Sequence, residues 1–599
     1  MSDGLERSAL PRSALVVWTL GVVATGVAVS VRKLGDFDLP WHLAFGRLIA
    51  STNAIPRVDD LAYTHRPIEY AEFLADLLLY GLMRFAGPLG LQVLGGVLTM
   101  LVLWVLSREL RTGPAGLLVA ASAVAAAGAW FIVRPATLSF VLVAWTAAAL
   151  ESHRSNPLSR SGRAMLASLV PVHLLWANLH GFVVVGLTVV VAYLLYRIAC
   201  AAGRGRLPKL LPKADATDLR WTSGVAVGVL GASMLNLAGP KLLIGPLRAI
   251  PDVGRVTEWE PTTLGFLLHH EPVALVYAIL LVALLVLGRA PAAKHRTPSA
   301  WEFGIVLMGL VLASSAVRLV AVAAILTGPM AARRLAGMLP STRLTWLTSS
   351  LAPMLLALWM LMRPGTTLGV GFEPDHFPEP AVQFVRDHKV AGPMWNSSVY
   401  GGYLSWRLYP EHRVLIDGRT GWVHEPRVVA LASRSERDPQ AFRTLDREFR
   451  FEWAICRAFE GEVFGAPLAA DDGWTMVFWD DVSAVYVRRK GINRALASSG
   501  YRVLRHRTPP PEVVRLAVLG ERVSDLTHDA ELAVKQAPES PRAAFVEACA
   551  AIAQRDEDGF SRALKRVEKL SPRAEPVRVL EQTWGTTRRA RAGSVRSSE

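Results

Sequence analysis

The stretch GDFDLPWHLAFGRLI (35–49) follows the first apolar run of the chain, and its reading decides how the rest is taken. It places two aspartates, a proline, a tryptophan and a histidine where a segment of lipid-crossing composition ends. Asp36 and Asp38 stand two apart in a loop, so both carboxylates can turn toward one hard cation or toward one acceptor proton. The structural alternative is that Asp38 caps the following helix, with Pro40 in its first turn. Asp36 is harder to account for as a cap and is the leading catalytic candidate. His42 comes one turn later and either points back at the same site or rests as a surface histidine at a lipid interface.

Working outward, the 599-residue chain is 52% hydrophobic, and the apolar residues come in blocks, as in a membrane protein. The formal charge of +15 sits largely in short links between apolar runs, which positive-inside topology explains. No basic motif with interleaved aromatics is present, so no nucleic-acid partner is expected. Cys200, Cys456 and Cys549 are widely separated, which argues against a disulfide framework or thiolate metal site. MSDGLERSALPR leads into an apolar run without a small-residue cleavage site, so that run is read as a retained first span.

Apolar stretches near the length of a crossing lie at about 13–30, 89–107, 115–131, 136–151, 164–179, 182–199, 221–238, 272–289 and 345–363. The stretch 302–332, interrupted by SSAVR, is long enough for two, giving about eleven transmembrane helices. With the N-terminus (Arg7, Arg12) inside, the inner loops carry Arg108 and Arg111; Arg154, Arg160 and Arg163; Arg204, Arg206, Lys209 and Lys213; Arg289, Lys294 and Arg296; and Arg333 with Arg334. The alternation requires that EYAEFLADLLLYGLMRFAG (69–87), bearing Glu69, Glu72, Asp76 and Arg84, lie along the outer interface as an amphipathic helix. Arg32 and Lys33 are the exceptions. The expected organisation is a membrane domain (1–363) with a first external loop at 31–88, followed by an extracytoplasmic tail.

That tail begins with a small α/β domain at 364–490. PAVQFVRDH and FRTLDREF read as helices, RVLIDGR as a strand ending in a turn, and WTMVFWDDVSAVYVRR as two strands. Residues 509–585 read as helical hairpins of tetratricopeptide type, because Pro538 and Pro572, like Lys535 and Lys569, recur 34 residues apart. A protein partner can dock on such repeats. The stretch 586–599 reads as a disordered basic tail.

Further polar residues stand at the outer ends of spans, where a charge near lipid calls for a reason: Asn178, His180, Asn236, Glu258, Glu260 and Arg318, with Glu72 of the interfacial segment as a further substrate-binding candidate. Arg318 cannot lose its charge, so it needs an anion, either a lipid phosphate or Glu258 in an internal pair. His180 donates either to a phosphate or to a neighbouring helix. In the tail, NSSVYGGYLSWRLYPEHRVLIDGR adds Tyr400, Asp417 and Arg419 to the substrate-binding candidates, the alternative being a turn with an internal Asp417–Arg419 pair. No Gly-rich phosphate loop, zinc motif or nucleophile elbow occurs.

Together, DFDLPWHL, LLWANLHG, VTEWEP and VYGGYLSWRLYPEHRVLIDGR resemble the C-type glycosyltransferase superfamily, and more narrowly an uncharacterised bacterial branch of it; the similarity covers most of 30–490. The resemblance implies a multi-spanning enzyme of a bacterial inner membrane, N-terminus cytoplasmic and C-terminal domain extracytoplasmic. Such an enzyme moves a sugar, with inversion, from a polyprenyl-phosphate donor to a glycan, lipid or protein acceptor on the outer face. It places the superfamily's first-loop acid on Asp36 or Asp38, acting as base or as ligand of a divalent cation such as Mg or Mn. SVYGGYLSW stands where oligosaccharyltransferases carry a tryptophan- and aspartate-rich motif, which argues against peptide acceptors. The alternatives are a transporter or flippase of lipid-linked or polar solutes, which needs midplane polar groups, and a non-catalytic envelope assembly protein.

Overall fold

The computed structural model describes residues 11–68, 72–107, 113–203, 211, 215–243, 257–287, 298–419, 423–458, 464–571 and 575–596. Arg7, Glu69, Arg108, Arg111, Arg204, Arg206, Lys209, Lys213, Arg289, Lys294, Arg296 and Pro572 lie outside the described residues. The chain divides into two units, Met1–Ile55 with Glu69–Phe372 and Pro56–Ile68 with Glu373–Glu599. The boundary therefore differs from the expected one, because part of the first loop belongs to the second unit.

In the first unit, six described helices are long and apolar enough to cross a membrane: Arg12–Ser30, Phe73–Ser107, Pro135–Ser155, Val183–Ala202, Leu319–Ala336 and Arg343–Met362. Pro114–Ala126, Pro272–Leu287 and Ala300–Ser315 are shorter apolar helices. Val276, Ile279 and Val286 are more than half exposed, as are Val16, Leu20 and Val27. Rows of exposed apolar side chains are a liability in water. Lipid accommodates them, since a helix satisfies its own backbone. This is a membrane protein.

Two sequence segments behave differently from the simple span count. The stretch 164–179 forms two helices, Arg160–Ala167 and Leu169–Trp176, meeting at Ser168. Phe73–Ser107 joins the expected interfacial helix to the next span, with a break at Gly87, whose φ of 62° and ψ of −160° suit glycine, followed by Pro88. Ahead of that break, the helix packs on Leu39–Thr52 with no room for a side chain at Gly46: a Cβ there would lie 2.2 Å from the Asp76 carbonyl oxygen.

The second unit is built on a four-stranded sheet of order β1-β2-β4-β3: β1 Met394–Asn396, β2 Trp453–Arg457, β3 Trp474–Trp479 and β4 Ser483–Arg488. β1 runs parallel to β2, and the other neighbours are antiparallel. The RVLIDGR segment is no full strand; Val414 makes a single bridge to Ala62. The buried Asn396 amide does the work of a neighbouring strand there, accepting from Leu415 N at 2.8 Å and donating to Ile416 O at 2.9 Å.

The helices Pro510–Leu519, Val523–Gln536, Pro541–Gln554 and Glu557–Leu570 share one apolar core with the sheet. Gln536 stitches them to β3, accepting from Trp479 N at 3.1 Å and donating to Val477 O at 2.8 Å. The last helix, Glu575–Arg596, runs through most of the stretch expected to be a disordered tail.

Candidate active site

The loop between Arg12–Ser30 and Leu39–Thr52 is pinned on both sides. Lys33 N and Leu34 N donate to Thr367 O and Gly371 O, each at 2.9 Å, and the Gln92 amide donates to Arg32 O at 2.6 Å. The turn that follows reverses the expected division of labour between the two aspartates. Asp36 Oδ1 accepts from Asp38 N at 2.7 Å and Leu39 N at 3.1 Å, whereas Asp38 makes no side-chain cap bond. The reason is local: Asp38 already has helical dihedrals (φ −83°, ψ −33°), and a capping side chain needs an extended residue. The Asp38 carboxyl is instead held by the Trp41 indole N–H at 3.2 Å and is 37% exposed, against 6% for Asp36.

Arg134, which the sequence reading passed over, joins these carboxylates. It precedes the helix Pro135–Ser155, and its Nη1 lies 3.5 Å from Asp36 Oδ2, 3.9 Å from Asp38 Oδ2 and 2.8 Å from Glu258 Oε1. Glu258 sits on the short turn Thr257–Trp259, whose backbone meets the break between Ala300–Ser315 and Leu319–Ala336: Arg318 N donates to Glu258 O at 3.4 Å and Val317 N to Glu260 O at 3.0 Å. That pairing brings Arg318 Nη1 to 3.6 Å from Glu258 Oε2, with its guanidinium over the rings of Trp259 and Phe182. The internal pair and the polar site thus coexist.

His180 completes the cluster with its tautomer fixed. Its Nδ1 faces the Ser139 hydroxyl at 3.0 Å and accepts from Phe182 N at 3.2 Å, while that hydroxyl accepts from the Trp176 indole at 2.9 Å. The proton therefore sits on Nε2, 3.7 Å from Glu72 Oε1, which also accepts from Gly181 N at 3.3 Å. Burial, followed by the charges of Arg318 and Arg134, keeps His180 well below the ordinary histidine range, so it is a neutral donor.

The carboxylates are tuned apart. Desolvation, then the Asp36 and Glu258 charges, push Asp38 up to about 7; burial also raises Asp36, and lifts Glu72 to about 7. Burial works against ionised Glu258 too, yet Arg134 and Arg318 hold it below its usual value.

The other sequence candidates are placed elsewhere. His42 Nδ1 meets Asp76 Oδ1 at 2.6 Å. Asn178 donates to Leu174 O and Leu235 O, both at 2.9 Å, and Asn236 closes its own turn by accepting from Ala238 N. Tyr400, Asp417 and Arg419 lie in the second unit, and all are buried. The Tyr400 hydroxyl donates to Val482 O at 2.7 Å, and Arg419 is gripped by Asp417 at 2.6 Å and Asp59 at 2.9 Å.

A second charged cluster, which the sequence reading did not foresee, links other helices of the first unit. Glu151 pairs with Arg154 at 2.7 Å and Arg333 at 2.6 Å, and Glu302 with Arg334 at 2.6 Å.

Among the described residues no group of three or more His, Cys, Asp or Glu is arranged to hold a metal ion, and the carboxylate oxygens already face the Arg134 guanidinium. The residues present do not fit a divalent ion.

No family model matches this chain, and no curated protein matches it. The archaeal oligosaccharyltransferase AglB from Archaeoglobus fulgidus, solved with an inhibitory peptide and a dolichol-phosphate, aligns at TM-score 0.50 and 11% identity, over 80% of this chain and 74% of that one. The chain shares its fold with that membrane enzyme. An Archaeoglobus fulgidus oligosaccharyltransferase in the apo form aligns at TM-score 0.49 and 12% identity, over 74% of this chain and 69% of that one. The arabinofuranosyltransferase AftD from Mycobacteria aligns at 0.47 and 15%, over 81% of this chain and 40% of that one. At 11% identity the likeness to AglB is one of fold.

Proposed function

We propose that the chain is an inverting membrane glycosyltransferase that moves a sugar from a polyprenyl-phosphate carrier to an acceptor at the outer face. The observation that carries this reading is the pairing of a partly exposed carboxylate, Asp38, with two guanidiniums and a neutral imidazole N–H within one C-type fold. Asp38 takes the proton of the acceptor nucleophile as that atom bonds to the anomeric carbon. The bond from that carbon to the phosphate oxygen breaks, and its electron pair leaves with the polyprenyl phosphate. Arg318 and His180 Nε2–H stabilise the charge that grows there. A single displacement inverts the anomeric centre. Asp36 holds the turn that aims Asp38. The dolichol-phosphate held by the archaeal neighbour is a donor-side precedent of the same chemical class. In this reading the N-terminus is cytoplasmic, about eleven helices cross a bacterial inner membrane, and the second unit is extracytoplasmic, its helical hairpins open to a protein partner.

The decisive assay is transfer of radiolabelled sugar from polyprenyl-phosphate donors to membrane acceptors, wild type against Asp36→Asn/Asp38→Asn at equal expression. Label transferred by the wild type and lost in the variant is expected. Undiminished transfer by the variant, or none from any donor by the wild type, defeats the reading; the second outcome favours the transporter or assembly alternatives.

The rate should also depend on pH with a definite sign. Asp38 must be ionised to accept a proton, so transfer is expected to rise as pH increases through about 7 and then level off. Glu72 titrates in the same range. A Glu72→Gln variant that keeps the inflection assigns it to Asp38, and one that abolishes it assigns it to Glu72.

A further inference from the structure

We propose that the Arg134 guanidinium is the resident counter-cation of the Asp36–Asp38–Glu258 cluster, standing where a divalent ion would otherwise be needed, so that transfer requires no added metal. This deepens the glycosyltransferase reading and rests on it for the word transfer alone. The geometry is that of a guanidinium shell. Three carboxylates approach a single nitrogen, Arg134 Nη1, at 2.8 to 3.9 Å, and Glu258 Oε2 adds a further contact at 3.1 Å. A Mg or Ca ion would draw such oxygens to roughly 2.0–2.6 Å.

The oxygens that face away from Arg134 are already engaged. Asp36 Oδ1 is taken by two backbone N–H groups and Asp38 Oδ1 by the Trp41 indole. Arg134 itself is fixed: its side chain is buried, its guanidinium lies over the Trp130 ring, and Pro135 follows it at the helix start. An arginine does not lose its charge in a protein. Adding a dication would set +2 beside an existing +1 that cannot move away. Arg318, whose Nη1 lies 3.6 Å from Glu258 Oε2, adds a second positive charge against any incoming metal.

Removing the guanidinium should reverse the preference. In Arg134→Ala the three carboxylates lose the counter-charge at their centre and become a cation site of oxygen ligands. The measurement is Mn binding to the detergent-purified full chain, followed by the electron paramagnetic resonance of free Mn, which reads the cluster whether or not a donor sugar is known. Wild type is expected to show no saturable Mn binding that depends on Asp38. Arg134→Ala is expected to gain a single site, lost again in Arg134→Ala/Asp38→Asn. A wild-type site abolished by Asp38→Asn overturns the proposal, and so does a folded Arg134→Ala chain that binds no Mn. If Arg134→Ala fails to fold, the wild-type titration with its Asp38→Asn control decides alone. Where the transfer assay gives a signal, insensitivity to chelator is the expected companion result; loss with chelator and recovery with Mn contradicts it. Failure of the transfer reading leaves the Mn titration intact, so the two are told apart.

Discussion

Asp38→Asn is expected to lower the rate of sugar transfer by about 10²- to 10⁴-fold, the range a positioned general base supplies, with the protein still in the membrane in normal amount. The substitution is mild in every other respect. The asparagine side-chain oxygen can keep the Trp41 indole bond, and the turn stays closed because Asp36, not Asp38, accepts from the backbone. What disappears is the capacity to take up a proton at the exposed edge of the cluster. Asp36→Asn removes a charge facing Arg134 but preserves an acceptor for Asp38 N and Leu39 N, so a smaller loss is expected. A single-turnover assay on both variants separates the roles. Asp38→Asn within threefold of native would take Asp38 out of the base role, and a larger loss in Asp36→Asn would hand that role to Asp36.

The second large effect is on stability. Arg419→Ala is expected to destabilise the second unit by about 3–5 kcal/mol, because it leaves Asp59 and Asp417 buried without their cation. That is a large share of the roughly 5–15 kcal/mol holding a typical domain. The pH dependence has a fixed sign. Burial alone would raise the Asp417 carboxyl, but Arg419 and His424 hold it far below the usual carboxylate range. Its stabilising contribution is therefore complete above the unfolded value near ~3.9 and is lost as the solution is acidified below it. In Arg419→Ala the sign turns over, and lowering the pH should recover stability as the stranded Asp417 carboxylate protonates. Thermal unfolding followed by the buried tryptophans Trp395, Trp453 and Trp474 measures both. A loss below 1 kcal/mol would mean that the cluster is dispensable.

The membrane character and the acidic loop were legible because both are local. Hydropathy is a property of successive residues, and two aspartates before a proline advertise a helix start whatever follows. Which aspartate caps was not legible, since it turns on whether Asp38 is already helical. Arg134 escaped because a lone arginine in FIVRPATL reads as a loop residue; an unremovable charge beside a proline at the end of an apolar run was the available signal. Glu258 and Arg318 were found as neighbours in chemistry, while the backbone pairing that joins them came only with the structure. β2 was missed because a fully buried strand lacks alternation, and RVLIDGR was overread because a side-chain amide stands in for its partner strand.

The partnership of Asp59 with Arg419 spans 360 positions in the chain. At synthesis rates of about 5–20 residues per second, Asp59 emerges roughly 20–70 s before the residue that neutralises it. During that interval the 56–68 segment has no folded home, while the helices that flank it are already being delivered to the bilayer. Nascent-chain quality control would therefore meet this loop as an exposed segment whose Asp59 still lacks its arginine, and ribosome pausing ahead of codon 419 would lengthen its exposure to proteases.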